Sequence, residues 1–157
     1  MFNKTTRLAI AAMTVLAEVY GAENPTLTAI QIARARGIPR PFVAKLMTTL
    51  SLRGLVTGTR GPGGGYKLAR APEAISLLAI ASSFERMEES ACPLERGHMC
   101  SDGTPCALHT PLHVLQESYR MLLTETNLAA FAPAPLVLQK IRDSRPKRPL
   151  KLAVPGR

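Results

Sequence analysis

The chain lacks an uninterrupted run of eighteen or more apolar residues, so no membrane-spanning helix is expected. Its N-terminal stretch "MFNKTTRLAIAAMTVLAEVYGAE" carries Glu18 among its apolar residues and has no small-residue cleavage site, which argues against a signal peptide. Cysteine is absent from the 142 positions outside residues 92–106, and the three that occur within that stretch are an odd number. That count makes a poor disulfide framework for a secreted domain and fits a reducing compartment, so the expected location is the cytoplasm. No nucleophile elbow or metal-hydrolase spacing gathers the serines, histidines and aspartates, so no enzyme is expected. Acidic residues are scarce where the chain begins: residues 1–70 hold ten Lys/Arg against two Asp/Glu.

The remaining charge is divided unevenly. Residues 71–126 hold three basic against eight acidic side chains, and residues 127–157 hold seven against one. A basic first half followed by an acidic middle points to a polyanion-binding module joined to one with another task. At 46% hydrophobic residues the chain has enough for one small core.

Helical spacing of Leu8, Ala12, Val15, Leu16 and Val19 predicts a first helix over residues 5–20, ended by Gly21 and Asn24-Pro25. In "LTAIQIARARG", Thr28 and Gln31 have capping-box spacing, Leu27 and Ile32 form a hydrophobic staple, and Gly37 closes a short second helix. Val43, Leu46, Met47 and Leu50 then give a third helix over about residues 41–53. Two short helices joined through Gly37 have helix-turn-helix spacing, in which the second enters the DNA major groove. Its other face carries Arg40, Pro41, Ala44, Lys45 and Thr48, small or cationic groups able to approach bases and phosphates. Next, "LVTGTRGPGGGYKLAR" contains two strand-like runs around a Gly-rich tip, with Arg60, Lys67 and Arg70 as cations. The tip lacks GK[ST] and opens no helix, so it is not a P-loop. Helix-turn-helix plus basic hairpin reads as a winged helix, the wing suited to the minor groove or to phosphates.

"GLVTGTRGPGGGYKLAR" resembles the wing of the Rrf-two family of bacterial transcription regulators, and the likeness extends over about residues 5–126. The fold class it implies is mainly α with a small β-hairpin: a winged helix-turn-helix domain plus a long C-terminal dimerisation helix. The implied organisation is a DNA-binding domain over 1–85, a cysteine-rich cluster-binding loop over 86–109 and a dimerisation helix over 110–130; the tail over 131–157 falls outside the likeness, and its richness in proline and cations makes it a basic segment expected to be disordered. The resemblance also implies a homodimer on double-stranded operator DNA, with Arg60 in the minor groove. The expected DNA-contacting set is Thr28, Arg40, Pro41, Ala44, Lys45 and Thr48, with Arg60, Gly61, Gly63, Gly64 and Lys67 from the wing. Within the "PEAISLLAIASSFE" segment one further helix is expected, and Leu112, Leu115, Tyr119, Leu122 and Leu123 predict an apolar stripe on the long one.

"CPLERGHMCSDGTPCALH" holds every cysteine, Cys92, Cys100 and Cys106, together with His98 and His109. The spacing C-x7-C-x5-C, with C-x2-H at its end, leaves three readings open from the residues alone: wide-spaced zinc, a thiol–disulfide switch, or an iron–sulfur cluster. The family resemblance implies the cluster, with Cys92, Cys100 and Cys106 as ligands. The cysteine spacing is similar to the RirA-like branch with its four-iron cluster, whereas Cys106-Ala-Leu-His109 is similar to the IscR-like branch with two irons, the form preferred here. NsrR-like relatives use an N-terminal aspartate, but about that position this chain has Arg7, which cannot serve. His109 is then the expected fourth ligand, kept outside the helix by Pro111 in a Thr110-Pro111 cap; His98 and His113 are weaker candidates. The expected function is a transcription regulator, a repressor, whose DNA binding answers to redox state, nitric oxide or iron. A zinc-stabilised or thiol-switch regulator, or a metal-binding protein without DNA, is the alternative.

Overall fold

The computed structural model describes residues 2–21, 24–85 and 105–131. Helix α1 (Lys4–Glu18) starts at Asn3, whose side chain accepts the Thr6 N–H at 2.8 Å. It is the central element: Ala9, Ala12, Met13 and Leu16 are essentially buried, and it packs against α2 (Ala29–Arg36), α3 (Arg40–Leu52) and α4 (Leu77–Ala81). Each fully buried side chain of leucine or methionine size contributes about 1.5–3 kcal/mol, and α1 supplies two of them.

The capping box of α2 is present, with Thr28 N–H donating to Gln31 Oε1 at 2.8 Å and Gln31 N–H donating to Thr28 Oγ1 at 3.3 Å. Gly37 ends the helix at φ 65°, a left-handed conformation that glycine adopts without a Cβ penalty. Arg36 locks α2 onto α1: it pairs with the buried Glu18 carboxylate and also donates to Ala11 O at 3.2 Å and Thr14 Oγ1 at 3.0 Å. Helix α3 begins one residue earlier than the sequence pattern indicates, at Arg40, with Pro41 in its first turn where a missing N–H goes unused.

Strands β1 (Val56–Thr59) and β2 (Gly65–Leu68) pair antiparallel, with Val56 opposite Leu68 and Thr59 opposite Gly65. A second ladder fragment ties this hairpin down: Leu27 N–H donates to Tyr66 O at 2.8 Å, and Tyr66 N–H to Leu27 O at 2.7 Å. A Cβ on Gly65 would collide with the Leu27 carbonyl, so the close approach requires glycine there.

The "PEAISLLAIASSFE" segment is helical only in part, as a 3-10 turn (Pro72–Ala74) and then the short α4. Ile75 is extended between them because its carbonyl accepts Leu128 N–H at 3.0 Å, while Leu77 N–H donates to Thr126 O at 2.9 Å. Those bonds fasten α4 to the end of α5 (His109–Glu125) and to the 3-10 turn Leu128–Phe131. Helix α5 also corrects an expectation. It starts at His109, so Pro111 sits third in the helix and does not hold His109 outside it. First-turn N–H groups have no intrahelical acceptor, so a proline at any of these positions costs no hydrogen bond.

Candidate nucleic-acid interface

Helix α3 turns Val43, Leu46, Met47 and Leu50 into the core, which fixes its opposite face outward. Arg40, Pro41, Lys45 and Thr48 are exposed there, and Ala44 is half-buried between them. The Thr48 hydroxyl donates to Ala44 O at 3.0 Å, leaving its oxygen free to accept. Thr28 is exposed at the start of α2, but its hydroxyl is already engaged with Gln31, as donor at 2.9 Å and acceptor at 3.3 Å. Its primary work is therefore capping.

At the wing tip, Gly64 N–H donates to Gly61 O at 2.9 Å, closing a turn with Pro62 second and Gly63 third at φ 79°. Gly61 has φ 98°, and a Cβ on Gly64 would strike the Thr59 carbonyl oxygen. The tip is thus bare backbone carrying the exposed Arg60, while Lys67 is half-buried on β2. Arg40, Lys45, Arg60 and Lys67 have no carboxylate partner among the described residues, so their charge is available to a polyanion.

Between the C-terminal half of α3 and the wing lies an open cleft of about 560 Å³. It gathers Thr48, Arg60, Gly61 and Gly64 from the expected set with residues outside it, among them Ser51, Leu52 and Tyr66. Leu52 is 84% exposed. Its signal was its departure from the α3 stripe: an apolar residue on a polar face that the core does not use.

Of the cysteine segment, Cys92, His98 and Cys100 lie outside the described residues. Cys106 and His109 are both half-buried, and His109 N–H donates to Cys106 O at 3.0 Å, which places the two residues in one turn. No three His, Cys, Asp or Glu side chains gather at a metal-sized point among the described residues. His113 lies one turn beyond His109, ring over ring at 6.5 Å with 27° between planes.

The apolar stripe expected on α5 divides in two. Leu123 is buried, and Leu112 and Tyr119 are half-buried, with Tyr119 against the Phe2 ring at 5.7 Å. Leu115 and Leu122 face away with Val114 and Met121, each more than half exposed. Burial pushes the Tyr119 phenol above its usual range, and the Glu85 carboxylate adds to this. On the polar edge, hydrogen bonding to Arg120 at 2.7 and 3.1 Å holds the Glu117 carboxyl below its usual range.

A two-stranded wing behind a helix-turn-helix, with cations on both that have no carboxylate partner among the described residues, defines a winged-helix DNA-binding head. A family model described as "Rrf2: Iron-dependent Transcriptional regulator" matches residues 2–134, and the chain belongs to that family. It is 34% identical over 105 residues to the HTH-type transcriptional regulator IscR of Aliivibrio salmonicida (strain LFI1238), covering 66% of this chain and 60% of that protein. The chain thus spans less than two thirds of that relative's length. Among solved structures, CymR (YrzC), the global cysteine regulator of B. subtilis, aligns at a TM-score of 0.66 and 22% identity, covering 83% of this chain and 97% of that one. IscR of T. potens aligns at 0.63 and 20% identity, covering 94% and 93%. The family consists of transcription regulators and not enzymes, and this chain is a DNA-binding transcription regulator. No helix among the described residues is long and apolar enough to cross a membrane.

Proposed function

We propose that the protein is a homodimeric, operator-specific repressor whose DNA binding is controlled by an iron–sulfur cluster held by Cys92, Cys100, Cys106 and His109. The observation that carries this reading is the turn at the start of α5, where the 3.0 Å backbone bond from His109 N–H to Cys106 O brings two half-buried residues, one bearing a thiol and one an imidazole, into a single turn. Thiolate and imidazole are the donors that iron takes in clusters of mixed ligation, so the described half of the ligand set fits the group. His109 reaches that position as the first residue of α5, where its side chain points back along the helix toward the preceding turn. When bound, a cluster with three thiolates and one imidazole supplies an iron centre sensitive to oxidants, nitric oxide and iron supply. The Cys106-Ala-Leu-His109 ending, similar to the IscR-like branch, favours the two-iron form over the four-iron form. The matched family's description as iron-dependent and the IscR relative support the same reading.

The residues divide the remaining work. Arg40, Pro41, Ala44, Lys45 and Thr48 meet the major groove, Arg60 with Gly61, Gly63 and Gly64 enters the minor groove, and Lys67 supports the wing from β2. The exposed row Val114, Leu115, Met121 and Leu122 covers its counterpart on a second chain. The basic segment 131–157 adds phosphate contacts without sequence preference.

Protein purified without oxygen should be coloured, and native mass spectrometry should report two chains with iron and sulfide in equal number per chain. Cys100→Ala should abolish the visible absorption. Colourless protein that takes up only zinc would replace the cluster by a structural metal. Colourless protein that takes up no metal but changes its DNA affinity on oxidation would leave the thiol-switch reading, to which the structural likeness to a cysteine regulator lends its fold.

A further inference from the structure

We propose that His109 and His113 form a two-imidazole clamp for a divalent first-row transition metal such as Zn²⁺ or Ni²⁺, distinct from the cluster in its second ligand and able to exclude it. The two residues are four apart on α5, the spacing that places two imidazoles on one helix face for metal chelation. Their rings already face each other at 6.5 Å with 27° between planes. His113 is exposed, so its ring can rotate to bring its nitrogen beside that of His109. The backbone between them is stiff, since Pro111 fixes φ in the first turn. Little chain entropy is therefore lost when both rings take one ion.

Position around the helix favours the same use. At 100° per residue, His109 and His113 lie about 160° from the centre of the exposed row Val114, Leu115, Met121 and Leu122. A partner helix covering that row leaves the imidazole edge open to solvent. The neighbouring carboxylate, Glu117, is held by Nε and Nη2 of Arg120 and is not needed. Neutral imidazoles suit Zn²⁺ and Ni²⁺, whereas Mg²⁺ and Ca²⁺ prefer oxygen ligands. One consequence rests on the function proposed above: His109 cannot serve a cluster and the clamp at once, so metal on the clamp and His109 on the cluster are mutually exclusive.

The clamp itself is testable without any cluster. In the full chain carrying Cys92→Ser, Cys100→Ser and Cys106→Ser, calorimetric titration with Ni²⁺ should show about one site per chain. His109→Ala or His113→Ala should weaken it about tenfold or more, because each removes half of a chelate, while His98→Ala should leave it within about twofold. If the serine variant does not fold by circular dichroism, wild-type chain stripped of metal and alkylated at its thiols takes its place. Absence of Ni²⁺ binding, loss of less than about tenfold in His113→Ala, or an equal loss in His98→Ala would overturn the proposal. None of these results depends on whether the thiol-bearing protein is coloured, so the clamp and the cluster stand or fall separately.

Discussion

Gly65→Ala should detach the wing from the head. The added Cβ would collide with the carbonyl of Leu27, and with Thr26 Cγ2 at 3.0 Å, so β2 must move away from the segment leading into α2. Two backbone hydrogen bonds are at stake, those of 2.8 and 2.7 Å between Leu27 and Tyr66. A net 0.5–1.5 kcal/mol for each gives a loss of about 2 kcal/mol, before any strain that remains. For a head of this size that corresponds to a fall in Tm of roughly 10 °C. Thermal denaturation followed by circular dichroism measures it, with Gly21→Ala as reference because a Cβ there meets no atom within 4 Å. Fluorescence anisotropy on a labelled duplex should show weaker binding as well, because Arg60 loses its fixed distance from α3. If Gly65→Ala melts with the wild type and binds DNA equally, the Leu27–Tyr66 ladder does not position the wing.

Arg60→Ala should weaken duplex binding about tenfold and lower the slope of log affinity against log salt by about one; an unchanged slope would remove Arg60 from the interface. On α5 two neighbouring leucines should behave oppositely. Leu122→Glu, at 57% exposure, should leave the melting of the monomer unchanged but shift sedimentation from dimer to monomer, whereas Leu123→Ala should cost about 2–5 kcal/mol of folding stability. Tyr119→Phe should flatten the alkaline end of the stability profile. The raised phenol pKa means that the fold favours the neutral form, so this contribution is complete below about pH 10 and is lost as pH rises through the folded value. Urea titrations across that range should show a shallower decline in the phenylalanine variant.

Local rules made the head legible. The capping box at Thr28 and Gln31, the Gly37 stop, the α3 stripe and the Gly-rich tip each depend on residues within a few positions of one another. The differences arose where distant chain intervened. The helix expected through Ile75 breaks because Thr126 and Leu128, some fifty residues on, offer strand-like bonds that helical periodicity cannot reveal. The apolar stripe of α5 counted the right residues but could not say that Leu123 faces inward while Leu122 faces out. Pro111 was informative about a helix start and silent about which of the first turn's positions it fills.

The ends of the cysteine segment are anchored in a way that bears on control. Glu85, where the described head stops, accepts a hydrogen bond from Asn3 Nδ2 at 3.3 Å, and Asn3 is also the cap of α1. From the segment's other end, α5 returns along the head and sets Tyr119 against Phe2, next to that cap. Both ends thus converge on the first turn of α1, the helix onto which α2 and α3 pack. That turn is not built for maximum stability: Thr6 Oγ1 and the second Glu85 oxygen are buried there without a hydrogen-bond partner among the described residues. Unpaired buried oxygens of this kind cost roughly 1–3 kcal/mol each, which lowers the cost of rearranging the joint relative to a fully satisfied one. Under the cluster-controlled reading proposed above, a shift at either end of the segment would reach α1 through these side chains, and through α1 the reading helix packed on it.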